Sequence, residues 1–156
     1  MQLVQLPVNI NFKQCKDMEK DHYIGVDISK RTIDIAIYVK SQAKKGTFPH
    51  ETFSNTEEGF KDMKKWLRKQ HVVLSKSLFC MEATGNYTYE LCLFLEQLGV
   101  AYSIQSPLHL KRSFGLTHGK NDKVDASRIA YYAYLHREDI KLSKLASDSV
   151  RKLKAL

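Results

Sequence analysis

Four acidic residues of this 156-residue chain have types and positions that suit divalent-metal chemistry. Asp27 lies inside one apolar segment, Glu82 ends another, and Asp122 and Asp125 lie three residues apart beside lysines. A charge within an apolar strand is costly unless it is paired or bound to a cation. Four clustered carboxylates stay ionised together only beside such a cation. Hard oxygen ligands in that number favour Mg²⁺ or Mn²⁺, and two such ions can promote phosphodiester chemistry.

Each of these acids has a simpler explanation when it is taken alone. Asp27 could cap a turn, and Glu82 could pair with a lysine. Asp122, at the start of a predicted helix, could cap it or interact with its dipole, and Asp125 could be an ordinary surface residue. The residue types and spacing therefore leave both the metal site and these separate roles open.

Hydrophobic periodicity predicts the elements that must position the acids. Alternating or apolar segments predict strands over 22–29 and 33–39, paired as a hairpin, and over 47–54. Because Pro49 cannot donate a ladder hydrogen bond, the third strand is placed at the sheet edge. Further along, the pattern predicts a helix over 55–70 opened by a capping box of Asn55 and Glu58, a strand over 77–83, a helix over 87–98 closed by Gly99, a strand over 100–105, a short helix over 107–113 and a helix over 122–137.

This order of elements predicts an α/β fold. A hairpin that leads into alternating strands and helices favours a mixed sheet covered by helices. Ligands of such sheets gather beyond the carboxyl ends of the strands. Asp27 and Glu82 would lie side by side if their strands are neighbours. Asp122 and Asp125, at positions i and i+3 of the predicted helix, would share one helix face and complete the cluster.

The charge of the chain is concentrated in its last third. The formal net charge is +8, and residues 105–156 hold 11 of the 25 Lys and Arg residues but 5 of the 17 acidic ones. A basic segment of this kind indicates a polyanionic partner, most often nucleic acid, although it is also compatible with a merely soluble basic surface.

Composition narrows the classes to which the protein can belong. The hydrophobic content of 43% is typical of a globular domain, and no apolar segment is long enough to span a membrane. The first 20 residues lack the features of a secretory signal. Three cysteines (Cys15, Cys80 and Cys92) without CxxC spacing indicate a reducing cytoplasm and no structural zinc, with Cys80 and Cys92 as core residues.

Three segments together resemble a known family. "YIGVDISK", "FCMEATGNY" and "GKNDKVDASRIA", in this order and at suitable distances, resemble the N-terminal domain of the DEDD transposases of IS110-type insertion sequences, relatives of the Piv DNA invertase. The resemblance covers roughly residues 22–156. It implies a RuvC-like, ribonuclease-H-type fold. It also implies that Asp27, Glu82, Asp122 and Asp125 are the catalytic, metal-binding acids that give the family its name.

The resemblance also implies a domain plan and partners. Residues 22–140 would form the RuvC-like domain, and 141–156 the start of a helical linker to a further C-terminal domain that carries a serine nucleophile. Residues 1–21, before the resemblance begins, are predicted to form an arm because the segment shows no sustained periodicity. The activity implied is that of a DNA transposase or recombinase mobilising an insertion sequence, in the bacterial cytoplasm at the nucleoid. A guide-like RNA from the element would be a second partner, and the full-length protein would be a homo-oligomer.

Nucleic-acid contacts are expected from cations near the acids and from one aromatic residue. The candidates are Lys111, Arg112, Lys120, Lys123, Arg128 and Tyr87. Three alternatives remain: a stand-alone RuvC-like, structure-specific nuclease; a fragment of a sugar-kinase or actin-like ATPase, in which a glycine usually stands where Ser29 lies; and a non-enzymatic RNA-binding module.

Overall fold

The computed structural model describes residues 20–45, 48–113 and 125–145, with the backbone alone for Lys44 and Lys45. The strands are β1 (His22–Ile28), β2 (Thr32–Ile37), β3 (His50–Ser54), β4 (Ser77–Glu82) and β5 (Ala101–Gln105). The α-helices of this part of the chain are α1 (Glu57–Lys69), α2 (Tyr89–Gln97), α3 (Pro107–Ser113) and α4 (Ala126–Leu135). Short 3₁₀ segments cover Lys40–Lys45, Leu74–Lys76 and Gly85–Thr88.

The strands form one five-stranded mixed sheet in the order β3-β2-β1-β4-β5. β1 and β2 form the predicted antiparallel hairpin, and β3 pairs antiparallel with β2 at the edge. β4 and β5 continue the sheet parallel to β1. This arrangement confirms the predicted α/β class, with a leading hairpin and flanking helices, and it is consistent with a ribonuclease-H-type fold.

One face of the sheet carries the larger apolar core. Alternate strand residues such as Val26 and Ile35 point to this face, as the period of two requires. They pack against the apolar side of α1 and against α2, and most members of this core are fully buried. Gly99, with a positive φ of 69°, follows α2 and turns the chain into β5, as the sequence predicts.

The opposite face is covered by α4 and α3, and there α4 lies unusually close to β1. A Cβ atom placed on Gly25 would lie 2.0 Å from the carbonyl oxygen of Ala126 and 2.4 Å from the amide nitrogen of Ala130. Tyr23, near the start of β1, contacts Tyr134 near the end of α4. The helix therefore runs opposite to β1 and has its N-terminus towards the carboxyl end of that strand.

Two helices begin later than predicted. Thr56, not Asn55, is the N-cap of α1, and its hydroxyl oxygen accepts a hydrogen bond from the Gly59 amide at 3.2 Å. Asp125 has an extended backbone and is the N-cap of α4; its carboxylate accepts from the Arg128 amide at 2.9 Å. Each side chain supplies a partner to a helix N–H that would otherwise have none.

The position of Asp125 as the N-cap of α4 corrects one prediction. Because Asp125 precedes the helix, the prediction that Asp122 and Asp125 share a helix face is wrong. Asp122 itself lies outside the described residues, as do Lys120 and Lys123.

The predicted arm and linker lie largely outside the described residues. Residues 1–19 and 146–156 lie outside the described residues, so the arm and most of the linker remain predictions. Residues 141–145 form no helix; Ser143 hydrogen-bonds instead through its amide to the carbonyl oxygen of Tyr102 in β5, at 2.8 Å. In the described ranges no helix is both long and apolar enough to cross a bilayer.

Gly25→Ala is expected to lower the free energy of unfolding by about 3 kcal/mol, because the new methyl group would overlap backbone atoms that cannot rotate away. Gly99→Ala is the matched control, since the same methyl group meets nothing within 4 Å and costs only the strain of a positive φ, about 1 kcal/mol. Urea unfolding of both variants measures the difference. Equal losses would show that the close approach of α4 does not limit the packing.

Candidate metal and nucleic-acid site

Asp27 and Glu82 lie at neighbouring positions of two adjacent parallel strands. Val26 is the register partner of Met81, and Asp27 and Glu82 are the next residues of β1 and β4. Neighbouring strands are about 4.8 Å apart, and residues in register point to the same face. Both side chains are half-buried, and both lie on the α4 face. The structure therefore brings together two of the four predicted acids, at the carboxyl edge where the sequence argument placed them.

A third acid, which was not among the predicted site residues, lies on the same row of the sheet. Asp34 of β2 is the register partner of Asp27, and its carboxylate accepts a hydrogen bond from the Thr52 hydroxyl of β3. The sequence contains a signal for Asp34, because this residue interrupts an apolar strand as Asp27 does. Its position opposite Asp27 depends on the hairpin register. On the other side, Gln105 of β5 is the register partner of Glu82.

Asp125 approaches this edge from above the sheet. It directly precedes Ala126, whose carbonyl oxygen lies over Gly25, two residues before Asp27. Its carboxylate is partly used as the helix cap, since one oxygen accepts from the Arg128 amide. Asp125 is exposed, so its carboxylate can also meet solvent or a ligand.

The donor chemistry of this edge fits a hard divalent cation. Two half-buried carboxylates from adjacent strands, with Asp125 at the end of the covering helix, are oxygen ligands of the kind that Mg²⁺ and Mn²⁺ prefer. Within the described ranges, no three His, Cys, Asp or Glu side chains are grouped closely enough to hold a metal ion. Asp122 lies outside the described residues, so the four-acid cluster remains a prediction.

Asn55 ties together the loops that flank the two strand ends. Its side-chain amide nitrogen donates to the carbonyl oxygens of Ser29, after β1, and Tyr87, after β4, both at 3.0 Å. Its backbone amide donates to the carbonyl oxygen of Arg31 at 2.8 Å. One side chain thus fixes the turn that follows Asp27 relative to the loop that follows Glu82. Asn55 is therefore a positioning residue, whereas the sequence pattern predicted that it would be part of a helix cap.

The nucleic-acid candidates that fall in the described ranges lie on the surface. Lys111 and Arg112 are exposed in the last turn of α3, and Arg128 is exposed in the first turn of α4. The Tyr87 side chain is 45% exposed beside the Glu82 loop, where its ring can contact a ligand. These placements are compatible with phosphate or base contacts, and the contacts themselves remain predictions.

The two described cysteines are core residues, as predicted. Cys80 and Cys92 are fully buried, and burial raises the pKa of each thiol to about 12. Both therefore stay protonated at neutral pH and are poor nucleophiles.

Comparison with known proteins identifies the family of this chain. Residues 24–156 match the model of the IS110-type DEDD family, whose members are described as transposases. The chain belongs to this family. The matched range includes Asp27 and Glu82.

Two curated relatives support the same assignment. The chain is similar to the pilin gene-inverting proteins of Moraxella bovis and Moraxella lacunata, with 32% identity to each over 137 residues. The match covers 86% of this chain and 40% of each relative, so the chain spans less than half the length of these proteins.

Asn55→Asp is expected to lower the free energy of unfolding by about 2 kcal/mol, because two carbonyl oxygens lose their donor and instead face a carboxylate. Asn86→Asp, an exposed change of the same type in the neighbouring loop, is the control and should cost little. Denaturant unfolding of both variants provides the measurement. If Asn55→Asp is as stable as the control, the two hydrogen bonds contribute nothing to the loop arrangement.

Proposed function

We propose that this chain is the acid-carrying domain of a DNA transposase or recombinase that acts on phosphodiester bonds with the help of a divalent cation. The observation that carries the proposal is the neighbouring placement of Asp27 and Glu82 at the carboxyl ends of β1 and β4. Family membership and the similarity to proteins that invert a pilin gene support DNA as the substrate.

In this proposal, Asp27, Glu82, Asp122 and Asp125 would together hold the cation. When bound, Mg²⁺ or Mn²⁺ would supply positive charge to stabilise the reacting phosphate. Asn55 keeps the two strand-end loops at a fixed separation, and this limits movement of the acids. Lys111, Arg112, Lys120, Lys123 and Arg128 contact the DNA backbone, and Tyr87 stacks on a base or contacts a phosphate.

The family resemblance extends the proposal beyond these residues. We infer a serine nucleophile in a separate domain, a guide-like RNA from the mobile element as second partner, and a homo-oligomer as the active form. The test is strand exchange with element-end DNA, the RNA and Mg²⁺, comparing residues 1–156 with a protein of the relatives' full length. Efficient exchange by residues 1–156 alone would contradict the separate serine domain and favour the nuclease-like alternative.

Asp27→Asn and Glu82→Gln are each expected to weaken Mn²⁺ binding to this chain by at least about tenfold. Mutating even a hydrogen-bond partner of a metal ligand lowers metal affinity by that factor. Glu90→Gln, which neutralises an exposed acid in the first turn of α2, is the control and should bind Mn²⁺ as the unmodified chain does. Titration followed by electron paramagnetic resonance measures the affinity directly. Unchanged binding in both variants would exclude these residues as ligands.

Asp125→Asn separates the two roles given to this residue. Asparagine is as good an N-cap as aspartate, so the free energy of unfolding should stay within a few tenths of a kcal/mol, whereas Asp125→Ala should lose about 1 kcal/mol. Both variants should bind Mn²⁺ more weakly, because each lacks the carboxylate. If Asp125→Asn binds Mn²⁺ normally, Asp125 is only a helix cap.

A further inference from the structure

Two adjoining grooves lie where α3 packs beside α4, and neither was expected from the sequence. The first, of about 520 Å³, lies between α3 and the C-terminal end of α4 and includes His109, Arg112, Ser113 and His136 in its lining. The second, of about 440 Å³, shares His109 and His136 and extends to Gln105 at the end of β5. The two histidines form a common wall between the grooves.

The first groove is lined by groups that bind anions. The Arg112 guanidinium and the two imidazoles can donate hydrogen bonds to a phosphate oxygen, and so can the Ser113 hydroxyl when its oxygen accepts from His136 Nε2. The lining contains no acidic side chain. Ser113 Oγ and His136 Nε2 lie 3.1 Å apart in a hydrogen bond that links α3 to α4. The donors are thus held on two different elements and converge on one space.

Tyr132, which lines the second groove, packs against His136 of the shared wall and links it to the sheet. Its ring centroid lies 4.4 Å from that of His136, and its hydroxyl donates to the Gln105 side-chain oxygen at 3.3 Å. Burial raises the pKa of Tyr132, so the hydroxyl keeps the proton that it donates. Since Gln105 is the register partner of Glu82, the second groove reaches to within one strand spacing, ~4.8 Å, of Glu82.

The surroundings favour a nucleic-acid strand over a small free anion. Leu108 and Leu135 line the first groove and are 58% and 49% exposed, so they offer apolar contact to sugars beside a phosphate. Lys111 adds an exposed positive charge on α3. Asp139 lines the second groove, which makes that groove less suitable for a phosphate. The anion-binding groups therefore belong to the first groove.

We propose that the groove between α3 and α4 binds a backbone phosphate of the DNA strand that continues to Asp27 and Glu82, with Arg112, Ser113 and His136 as its ligands. The inference rests on the proposed function, because it assumes DNA as the substrate. Ser113 and His136 gain a role here as phosphate-binding residues, separate from the metal-binding acids. The strand would pass from this groove over Gln105 to the acid edge.

The test is fluorescence anisotropy of this chain with a labelled single-stranded DNA over a range of salt concentrations. The Arg112→Ala, Ser113→Ala double variant should bind about tenfold more weakly and show a salt slope smaller by about 1, the expected loss for one phosphate contact. Both residues are exposed, so folding should be preserved. The control is Arg68→Ala, an exposed arginine in the last turn of α1.

A second measurement reports anion binding in the first groove. Titration with inorganic phosphate should shift the imidazole proton signals of His136 in the unmodified chain and leave them unchanged in the double variant. DNA binding that is equally strong in the double variant and in Arg68→Ala would overturn the inference and leave the proposed function standing. An unmodified chain that binds no DNA would overturn both. A loss confined to RNA binding would refute the assignment of this groove to DNA.

Discussion

The close approach of α4 to β1 is the constraint on which the candidate site depends. Gly25 leaves room for the Ala126 carbonyl oxygen and the Ala130 amide nitrogen to lie where any side chain would be. This contact sets both the height of α4 above the sheet and its position along β1. As a result, the helix cap Asp125 lies towards the strand end that carries Asp27. A larger residue at position 25 would move the helix and its cap away from the sheet acids.

Asp27 and Glu82 are compatible with folding because they lie at the carboxyl ends of their strands. Val26 and Ile28 are buried on the face opposite Asp27, so β1 contributes to the larger core and still presents a carboxylate on the α4 face. Glu82 is the last residue of β4, where burial decreases. Two neighbouring carboxylates repel each other less at such an edge than in the core, and a cation would stabilise them further.

The loops beyond the strand ends are held by side-chain hydrogen bonds rather than by sheet pairing. Asn55 joins the turn after β1 to the loop after β4 across 26 and 32 residues of sequence. Such contacts restrict the residues that carry a site more than local turn preferences do, because each partner belongs to a different element. The groove between α3 and α4 is built in the same way, with the Ser113–His136 hydrogen bond linking residues 23 positions apart.

The sequence by itself determined the class of fold, most of the elements and the two neighbouring acids of the candidate site. Apolar alternation located the hairpin, Pro49 placed β3 at the edge, and Gly99 marked the end of a helix, because these signals are local. The acids inside apolar strands were visible for the same reason. Only tertiary structure decided that Asp34 lies opposite Asp27, that Asn55 bridges two loops while Thr56 caps α1, and that Ser113 meets His136. These outcomes depend on strand register and on helix packing, which bring together residues that are distant in the chain and which no local pattern encodes.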